Sequence, residues 1–364
     1  MRIAEITDAI AQYAPLDLQE GYDNAGLQIG DNNNEATGVL LCVDVTEAIV
    51  DEAIEKNVNL IISHHPLLFK GLKSITGKNQ IERIVLKALK NDIAIYSAHT
   101  NMDNTSGGVS AIMADKLHLV NQRVLRPMEG KLYKLVVFAP KDYTDKVSKA
   151  LFEAGAGRLG NYDSCSYKLQ GEGSFRALEG ANPWVGDLGE VHHEKETRIE
   201  VLLNNGIKSQ VVKKMIAAHP YEEPAYDLIA LENESKYSGS GIVGELIEKV
   251  PALEFLSVLK KTFGVGAVKY SGNVSKEIKT VALCGGSGAE FIGDALRARA
   301  DIYVTGDLKY HEFTSNNDRI LLADIGHYES EQYTKEIFNN IIRKKFPNFA
   351  TYYAELENNP INYL

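Results

Sequence analysis

The sequence has little cysteine, no long apolar run and no excess of positive charge. Only three cysteines occur in the 364 residues, Cys42, Cys165 and Cys284, and they form no CxxC pair. Their scarcity excludes a disulfide framework and a zinc site built on thiolates, and it favours a reducing, cytoplasmic location. No apolar run reaches the roughly 18 residues that a membrane helix needs, so we expect no membrane contact.

Acidic residues outnumber basic ones, with 49 Asp and Glu against 39 Lys and Arg and a formal net charge of −10. Repulsion from a phosphate backbone therefore argues against nucleic acid as a partner. The hydrophobic fraction of 44% and the charged fraction of 24% are close to those of ordinary folded proteins. A chain of this length predicts two or three domains with proper cores.

Two nucleotide-binding motifs are imperfect. Gly239, Gly241 and Gly244 match GxGxxG, but no βαβ unit surrounds them, which favours a glycine-rich turn. The stretch GLKSITGKN has five residues between Gly71 and Gly77, where a P-loop requires four. ATPase chemistry is excluded on that basis.

Strand and helix patterns alternate in both outer thirds of the chain. In the first third, strands and helices are predicted in turn at residues 38–45, 46–57, 58–65, 80–91 and 92–100. The same alternation returns from residue 279 and ends in one long amphipathic helix over 330–346. The pattern predicts two α/β halves, separated in sequence, with a mostly parallel sheet covered by helices.

The middle of the chain has a different order, β-α-β-β-α-β, which is typical of a ferredoxin-like α+β domain. We predict that this domain is inserted at residues 128–232. The core is then split in sequence into a first half at 1–127 and a second half at 233–364.

Polar residues gather at the predicted carboxyl ends of strands, where open α/β sheets bind ligands. His64 and His65 end one strand, and Asp103 follows another strand that ends near His99. Two adjacent imidazoles could reach two neighbouring metal ions at a strand tip. The alternative is a hydrogen-bonded pair beneath a turn.

His327 and Glu331 are four residues apart and therefore lie on one face of the predicted helix. They stand at the end of an apolar stripe, where an unpaired charge is costly, and a metal ion would supply the partner. The alternative is capping of the helix by Glu331, which leaves His327 without a role. With His64, His65 and Asp103, the set contains more ligands than a tetrahedral zinc site needs and suits two metals.

Nitrogen and oxygen donors suit several metals. We expect two divalent ions, with zinc the first candidate and Fe, Mn, Co and Ni the alternatives. Asp103 or Glu331 could bridge them, and Asp307 or His311 could move protons. The candidate catalytic residues are Glu331, Asp307 and His311. Other candidates for contacts around the ions are Asp23, Asn24, Glu47 and Thr305. The glycine-rich run at 284–288 could form a nest for an anion, or only a tight turn.

Six motifs in order, DNAGLQIG, IISHHPLLFK, AHTNMD, VALCGGSG, TGDLKYHE and DIGHYESE, resemble those of the Nif-three-like family, whose members are named homologues of type 2 GTP cyclohydrolase I. The stretch AHPYEEPAYD resembles the PII-like domain inserted in the longer bacterial members. The resemblance implies a dinuclear metal centre held by His64, His65, Asp103, His327 and Glu331. It also implies two similar α/β lobes with mixed sheets, and a toroidal homohexamer whose metal sites face an internal cavity.

We therefore expect a metal-dependent hydrolase that acts on a small-molecule substrate, and the family name points to a nucleotide. Metal-activated water would be the nucleophile. The alternative is a metal-handling or regulatory scaffold, in which the inserted domain senses a ligand or a partner.

Overall fold

The structure is a computed structural model that describes residues 1–357 and 359–364. The chain divides into two compact units. The first, which we call the core unit, combines Met1–Pro127 with Lys236–Leu364, and the second, the insert unit, is Met128–Ser235. Among the described residues, no helix combines the length and the apolar character needed to cross a membrane.

The core unit contains most of the strands. Before the insert unit, the strands of the core unit are β1 Gly26–Ile29, β2 Val39–Cys42, β3 Leu60–Ser63, β4 Ala94–Ser97 and β5 Val120–Pro127. The strands of the insert unit are β6 Leu132–Pro140, β7 Tyr167–Arg176, β8 Val191–Asn204 and β9 Tyr226–Leu231. After the insert unit, the core unit continues with β10 Gly239–Pro251, β11 Lys269–Ser271, β12 Glu277–Ser287, β13 Ile302–Gly306, β14 Leu321–Asp324 and β15 Thr351–Tyr353.

The helices lie between these strands in both units. They are α1 Ile3–Tyr13, α2 Glu47–Glu55, α3 Gln80–Lys90, α4 Thr100–Asp103, α5 Val109–Lys116, α6 Thr144–Glu153, α7 Lys208–Ala218, α8 Ala252–Phe263, α9 Ile292–Arg297, α10 Tyr310–Asn316, α11 His327–Glu331 and α12 Thr334–Lys345. Only α6 and α7 belong to the insert unit.

The first sheet of the core unit has the strand order β1-β4-β3-β2-β15. Strands β2, β3, β4 and β15 are parallel, and β1 pairs with β4 in the antiparallel direction. Along β2 the side chains alternate between two hydrophobic clusters, with Val39 and Leu41 in one and Leu40 and Cys42 in the other. This burial on both faces is typical of parallel strands covered by helices.

The second sheet has the order β11-β14-β13-β12-β10-β5. Its centre, β12 to β14, is parallel, whereas β11, β10 and β5 are antiparallel to their neighbours. Tyr303 and Val304 on β13 again enter two different hydrophobic clusters. The predicted mixed α/β class is therefore confirmed, and in each sheet the parallel strands end at one common edge.

The single helix predicted over 330–346 is wrong. Helix α11 ends at Glu331 and α12 begins at Thr334, whose hydroxyl donates a hydrogen bond of 2.7 Å to the carbonyl of Glu331. The apolar pattern continues through this break, so periodicity alone does not reveal it. Sequence patterns also gave no signal for the short edge strands β1, β11 and β15, because pairing with a neighbour defines them.

The insert unit has the element order β-α-β-β-α-β. Its four strands form an antiparallel sheet in the order β7-β8-β6-β9. Helices α6 and α7 cover one face through Leu151 and Met215, which pack against strand residues such as Val137 and Ile199. Because side chains alternate along a strand, Glu196 and its neighbours at every second position lie on the opposite face.

Candidate metal centre

Four histidines meet where the parallel strands of the core unit end. His64 and His65 follow β3, His99 follows β4, and His327 opens α11 just after β14. Gly326 has a φ of 88°, which permits the sharp turn from β14 into α11. Neighbouring rings are close, with centroids 5.1 to 5.4 Å apart.

Every one of these imidazoles is held by its Nδ1 atom. The Nδ1 contacts are His64 with the carbonyl of Ala98 at 2.9 Å, His65 with Asp44 at 2.9 Å, His99 with Asp23 at 2.8 Å and His327 with Asp307 at 2.7 Å. An acceptor at Nδ1 favours a proton on that nitrogen and leaves the Nε2 lone pair of the neutral ring available. Histidines that bind metals are oriented in this way.

Glu331 lies at the centre of the cluster with only 3% of its surface exposed. Its Oε1 is 3.5 Å from Nε2 of His64, and its Oε2 is 2.9 Å from Nε2 of His65 and 3.1 Å from Nε2 of His327. Oδ1 of Asp103 is 3.7 Å from the same His64 nitrogen. One carboxylate thus faces three imidazoles, and a second carboxylate faces one of them.

Three buried atoms of the cluster have no hydrogen-bond partner: Nε2 of His64, Oδ1 of Asp103 and Oε2 of Glu331. The two short approaches to Oε2 do not have the direction of a hydrogen bond. A buried polar atom without a partner costs about 1–3 kcal/mol, and more when it is charged. Imidazole nitrogens and carboxylate oxygens that converge without partners are a donor set that fits divalent metal ions.

The electrostatics of the cluster also favour a cation. Burial disfavours the charged ring of His65, but Asp44 and Glu331 outweigh it and raise its pKa to about 10. The close carboxylate of Glu331, opposed by burial and aided by Asp307, raises the pKa of His327 to about 9. Burial would raise the pKa of Glu331, yet the facing imidazoles, His64 first, hold it well below the usual range. Without a metal, protons on the imidazoles balance this carboxylate.

The glycine-rich run at the end of β12 makes room for the central carboxylate. A Cβ atom on Gly286 would lie 2.2 Å from Oε1 of Glu331, and the φ of Gly286 is 62°. The predicted anion nest in this run is wrong, because side-chain oxygens of the chain already accept its amide protons. The pairs are Gly285 with Ser110, Gly286 with Ser330 and Gly288 with Thr305.

The structure brings together the five predicted metal ligands. Three groups of side chains could hold a metal ion: His64, His65 and His99; His65, His327 and Glu331; and His64, Asp103 and Glu331. His99 is therefore a sixth candidate, although it is not among the five ligands predicted from the sequence. Its position directly after β4 was the available signal.

Some of the other candidate residues contact the cluster, and others lie elsewhere. Asp23 and Asp307 hold histidines of the cluster, whereas Glu47 pairs with Arg83 at 2.9 Å. His311 is exposed on α10 and lines a separate cavity instead of the cluster. Asp44 was not predicted, although it comes shortly after β2, at the same sheet edge as the others.

The fold and the cluster together define a mixed α/β protein whose histidines and carboxylates could hold metal ions at the strand ends. Residues 1–360 match the model of the family described as Duf34/NIF3 (NGG1p interacting factor 3), and the chain belongs to this family. The family expected from the six sequence motifs is thereby confirmed.

Relatives of similar length support this assignment. The chain is 41% identical to the GTP cyclohydrolase 1 type 2 homolog of Halalkalibacterium halodurans over 353 residues, which cover 95% of each chain. It is 38% identical to the protein of that name from Bacillus subtilis, with 99% of this chain and 98% of the relative covered. The crystal structure of a Bacillus cereus protein related to NIF3 has a TM-score of 0.88 and 36% identity, with 100% and 99% coverage.

Proposed function

We propose that the cluster binds two divalent metal ions and that the protein is a metal-dependent hydrolase of a small molecule. The observation that carries the proposal is the convergence of buried atoms without partners on His64, Asp103 and Glu331. A protein interior rarely tolerates such atoms unless a ligand satisfies them. Among the described residues, three overlapping groups of candidate ligands, two of which share Glu331, support more than one ion.

In this proposal His64, Asp103 and Glu331 would hold one ion, and His65, His327 and Glu331 would hold the other. Glu331 is the shared ligand because its two oxygens face different imidazoles. Zinc is the first candidate, and Fe, Mn, Co and Ni are alternatives that the same donors accept.

Divalent ions in such sites act as Lewis acids and lower the pKa of a bound water towards neutrality. The side chains of the protein would then orient the reaction and move protons. Asp44 and Asp307 fix the rings of His65 and His327. The side chain of Asp307 is 54% exposed, so it can exchange protons with solvent while it contacts the cluster. Glu331 and Asp307 are our candidate catalytic residues, and His311 remains a prediction without a contact to support it.

Two exposed aromatic rings beside the cluster suit a planar substrate. The centroids of Tyr22 and Phe69 are 6.3 Å apart, and Phe69 meets the ring of His99 edge-on at 6.3 Å. A heteroaromatic base could stack on such rings. Because curated relatives carry the name GTP cyclohydrolase 1 type 2 homolog, we propose GTP, attacked by water at C8 of its guanine ring, as the first substrate to test.

The test is a screen of metal-replete protein against GTP, other nucleotides, phosphoesters and amides, with product detection by mass spectrometry. We expect turnover of one class that Glu331→Gln abolishes and that Glu336→Gln leaves unchanged. Glu336 is a suitable control because its carboxylate pairs with Lys116 outside the cluster. The absence of any turnover that depends on Glu331 would contradict the enzymatic proposal.

A second candidate function is a metal-handling or regulatory scaffold, and the separate insert unit favours it. Under this alternative the insert unit is a PII-like domain that senses a ligand or partner. The toroidal homohexamer and the cytoplasmic location also remain proposals. Light scattering during size-exclusion chromatography measures the assembly directly, and a mass six times that of the chain is the expected result.

A further inference from the structure

The insert unit contains a cavity of about 510 Å³ that the hydrolase proposal does not use. It lies on the sheet face opposite to helices α6 and α7, between β7, the segment that carries Trp184, and the loop after α7. Its aromatic walls are Phe175, Trp184 and Tyr221. The ring of Tyr221 is 6.0 Å from that of Trp184 and 5.9 Å from that of Phe175, measured between centroids.

The charged groups that line this cavity are all carboxylates. They are Glu196, Glu222 and Glu223, and no lysine, arginine or histidine is among the lining residues. No ion pair between described residues neutralises any of the three, whereas Glu200 on the same strand as Glu196 pairs with Lys134 and Arg198. The cavity therefore combines aromatic faces with an unbalanced negative charge.

The site is organised before any ligand arrives. The hydroxyl of Tyr221 donates to Oε1 of Glu196 at 2.9 Å, which fixes both side chains. A Cβ atom on Gly173 would lie 2.2 Å from Oε2 of Glu196, so a side chain at this position would displace the carboxylate from its present place. His219 braces the loop, because its Nδ1 accepts from the amide of Tyr221 and its Nε2 donates to the carbonyl of Phe138.

We infer that this cavity binds a small organic cation of the alkylammonium class. The faces of aromatic rings attract cations, and quaternary ammonium groups bind in aromatic cages of this kind. The rings favour an organic cation over a bare metal ion, since they offer no ligand atoms. The carboxylates disfavour anions and nucleotides. This inference does not depend on the proposed metal centre.

Trp184 is the only tryptophan of the chain, so emission excited selectively at tryptophan, and not at the 18 tyrosines, reports on this cavity. The probe is choline chloride, titrated into the full-length protein. We expect a saturable change in tryptophan emission that neither sodium chloride at equal concentration nor the neutral tert-butanol reproduces.

Variants make the assignment specific. Glu196→Gln keeps an acceptor for Tyr221 but removes the charge, and Tyr221→Leu removes one aromatic face. Each should weaken choline binding roughly three- to tenfold or more. The matched control, Glu172→Gln, changes an exposed carboxylate of β7 that pairs with His193 and does not line the cavity. Circular dichroism verifies that each variant is folded.

Several results would overturn the inference. The first is tryptophan emission that changes linearly with choline, or equally with tert-butanol. The second is unchanged choline affinity in the folded Glu196→Gln variant. The third is a saturable emission change with magnesium or a lysine-rich peptide when choline produces no saturable change. Glu331→Gln should bind choline like the unaltered protein. A failure of the metal centre therefore remains distinguishable from a failure of this site.

Discussion

The metal centre of the core unit and the cavity of the insert unit both contain several carboxylates. The two sites differ in how the polar atoms of their side chains find partners. In the metal centre, atoms of His64 and Glu331 are buried without partners. In the insert cavity, Glu196 is partly exposed and already accepts a hydrogen bond from Tyr221. The first arrangement needs direct ligation by an ion, whereas the second only attracts a cation whose surface is apolar. Variants that affect one site and spare the other test this contrast.

The largest effect is expected from Glu331→Gln. The amide keeps the size of the side chain but loses the charge that faces three imidazoles. Metal affinity, measured by competition with a chromogenic chelator, should fall by more than the roughly 10- to 100-fold known for residues that only orient ligands. Glu336→Gln is the control. Unchanged affinity in folded Glu331→Gln protein would show that Glu331 is not a ligand.

A smaller effect is expected from Asp44→Asn or Asp307→Asn, which change the groups that orient His65 and His327. Metal affinity should fall roughly 10- to 100-fold. Isothermal titration with zinc measures the change. The matched control is Asp51→Asn, because Asp51 pairs with Lys87 on the surface of α2. Losses as large as that of Glu331→Gln would instead make these aspartates direct ligands.

Raising the pH should lower the folding stability of the metal-free protein and raise its affinity for metal. The pKa values of His65 and His327, raised to about 10 and about 9, exceed the value of about 6.5 expected in the unfolded chain. The stabilisation from these charged rings is therefore fully present below pH 6.5 or so and is lost as the pH rises through about 9 and 10. Metal binding displaces these protons, so affinity should rise over the same window.

Thermal denaturation between pH 6.5 and 10, with chelator or with zinc, measures both trends. The melting temperature of the metal-free protein should fall with pH, and the increase caused by zinc should grow. Glu331→Gln should flatten both dependences, because it removes the charge that raises the two pKa values. A metal-free protein that becomes more stable across this window would contradict the account.

The smallest effect on the metal centre is expected from removing the insert unit. Pro127 on β5 and Gly239 on β10 are paired neighbours in one sheet, so a short glycine-serine linker can replace residues 128–235. Zinc stoichiometry and affinity should stay within about twofold of the full chain, since all candidate ligands belong to the core unit. Choline binding should disappear. A folded deletion variant without zinc binding would show that the core unit depends on the insert.

The parts of the fold that sequence patterns predict are those with strong periodicity. The buried runs of β2, β3 and β4 and the helical spacing of α3 are visible in the sequence. The edge strand β15 has three residues, and its pairing with β2 is a tertiary event that no local pattern records. The break between α11 and α12 depends on a side-chain contact inside a continuous apolar pattern.

The same distinction applies to the site. His64 and Asp103 could be grouped from sequence because parallel strands end at one edge. The sequence does not show that His99 belongs to the cluster or that Asp44 contacts Nδ1 of His65. Both contacts depend on the direction in which a ring nitrogen points. His311 looked equivalent to Asp307 in the motif TGDLKYHE, but α10 places it at another cavity.

The most direct test of the central claim is anomalous diffraction from a crystal of the zinc-loaded protein. The account predicts two anomalous peaks for each chain, one between His64 and Asp103 and the other between His65 and His327, with Glu331 in contact with both. A single peak would reduce the centre to one ion. No peak among these residues, at a zinc concentration that saturates binding in solution, would contradict the account.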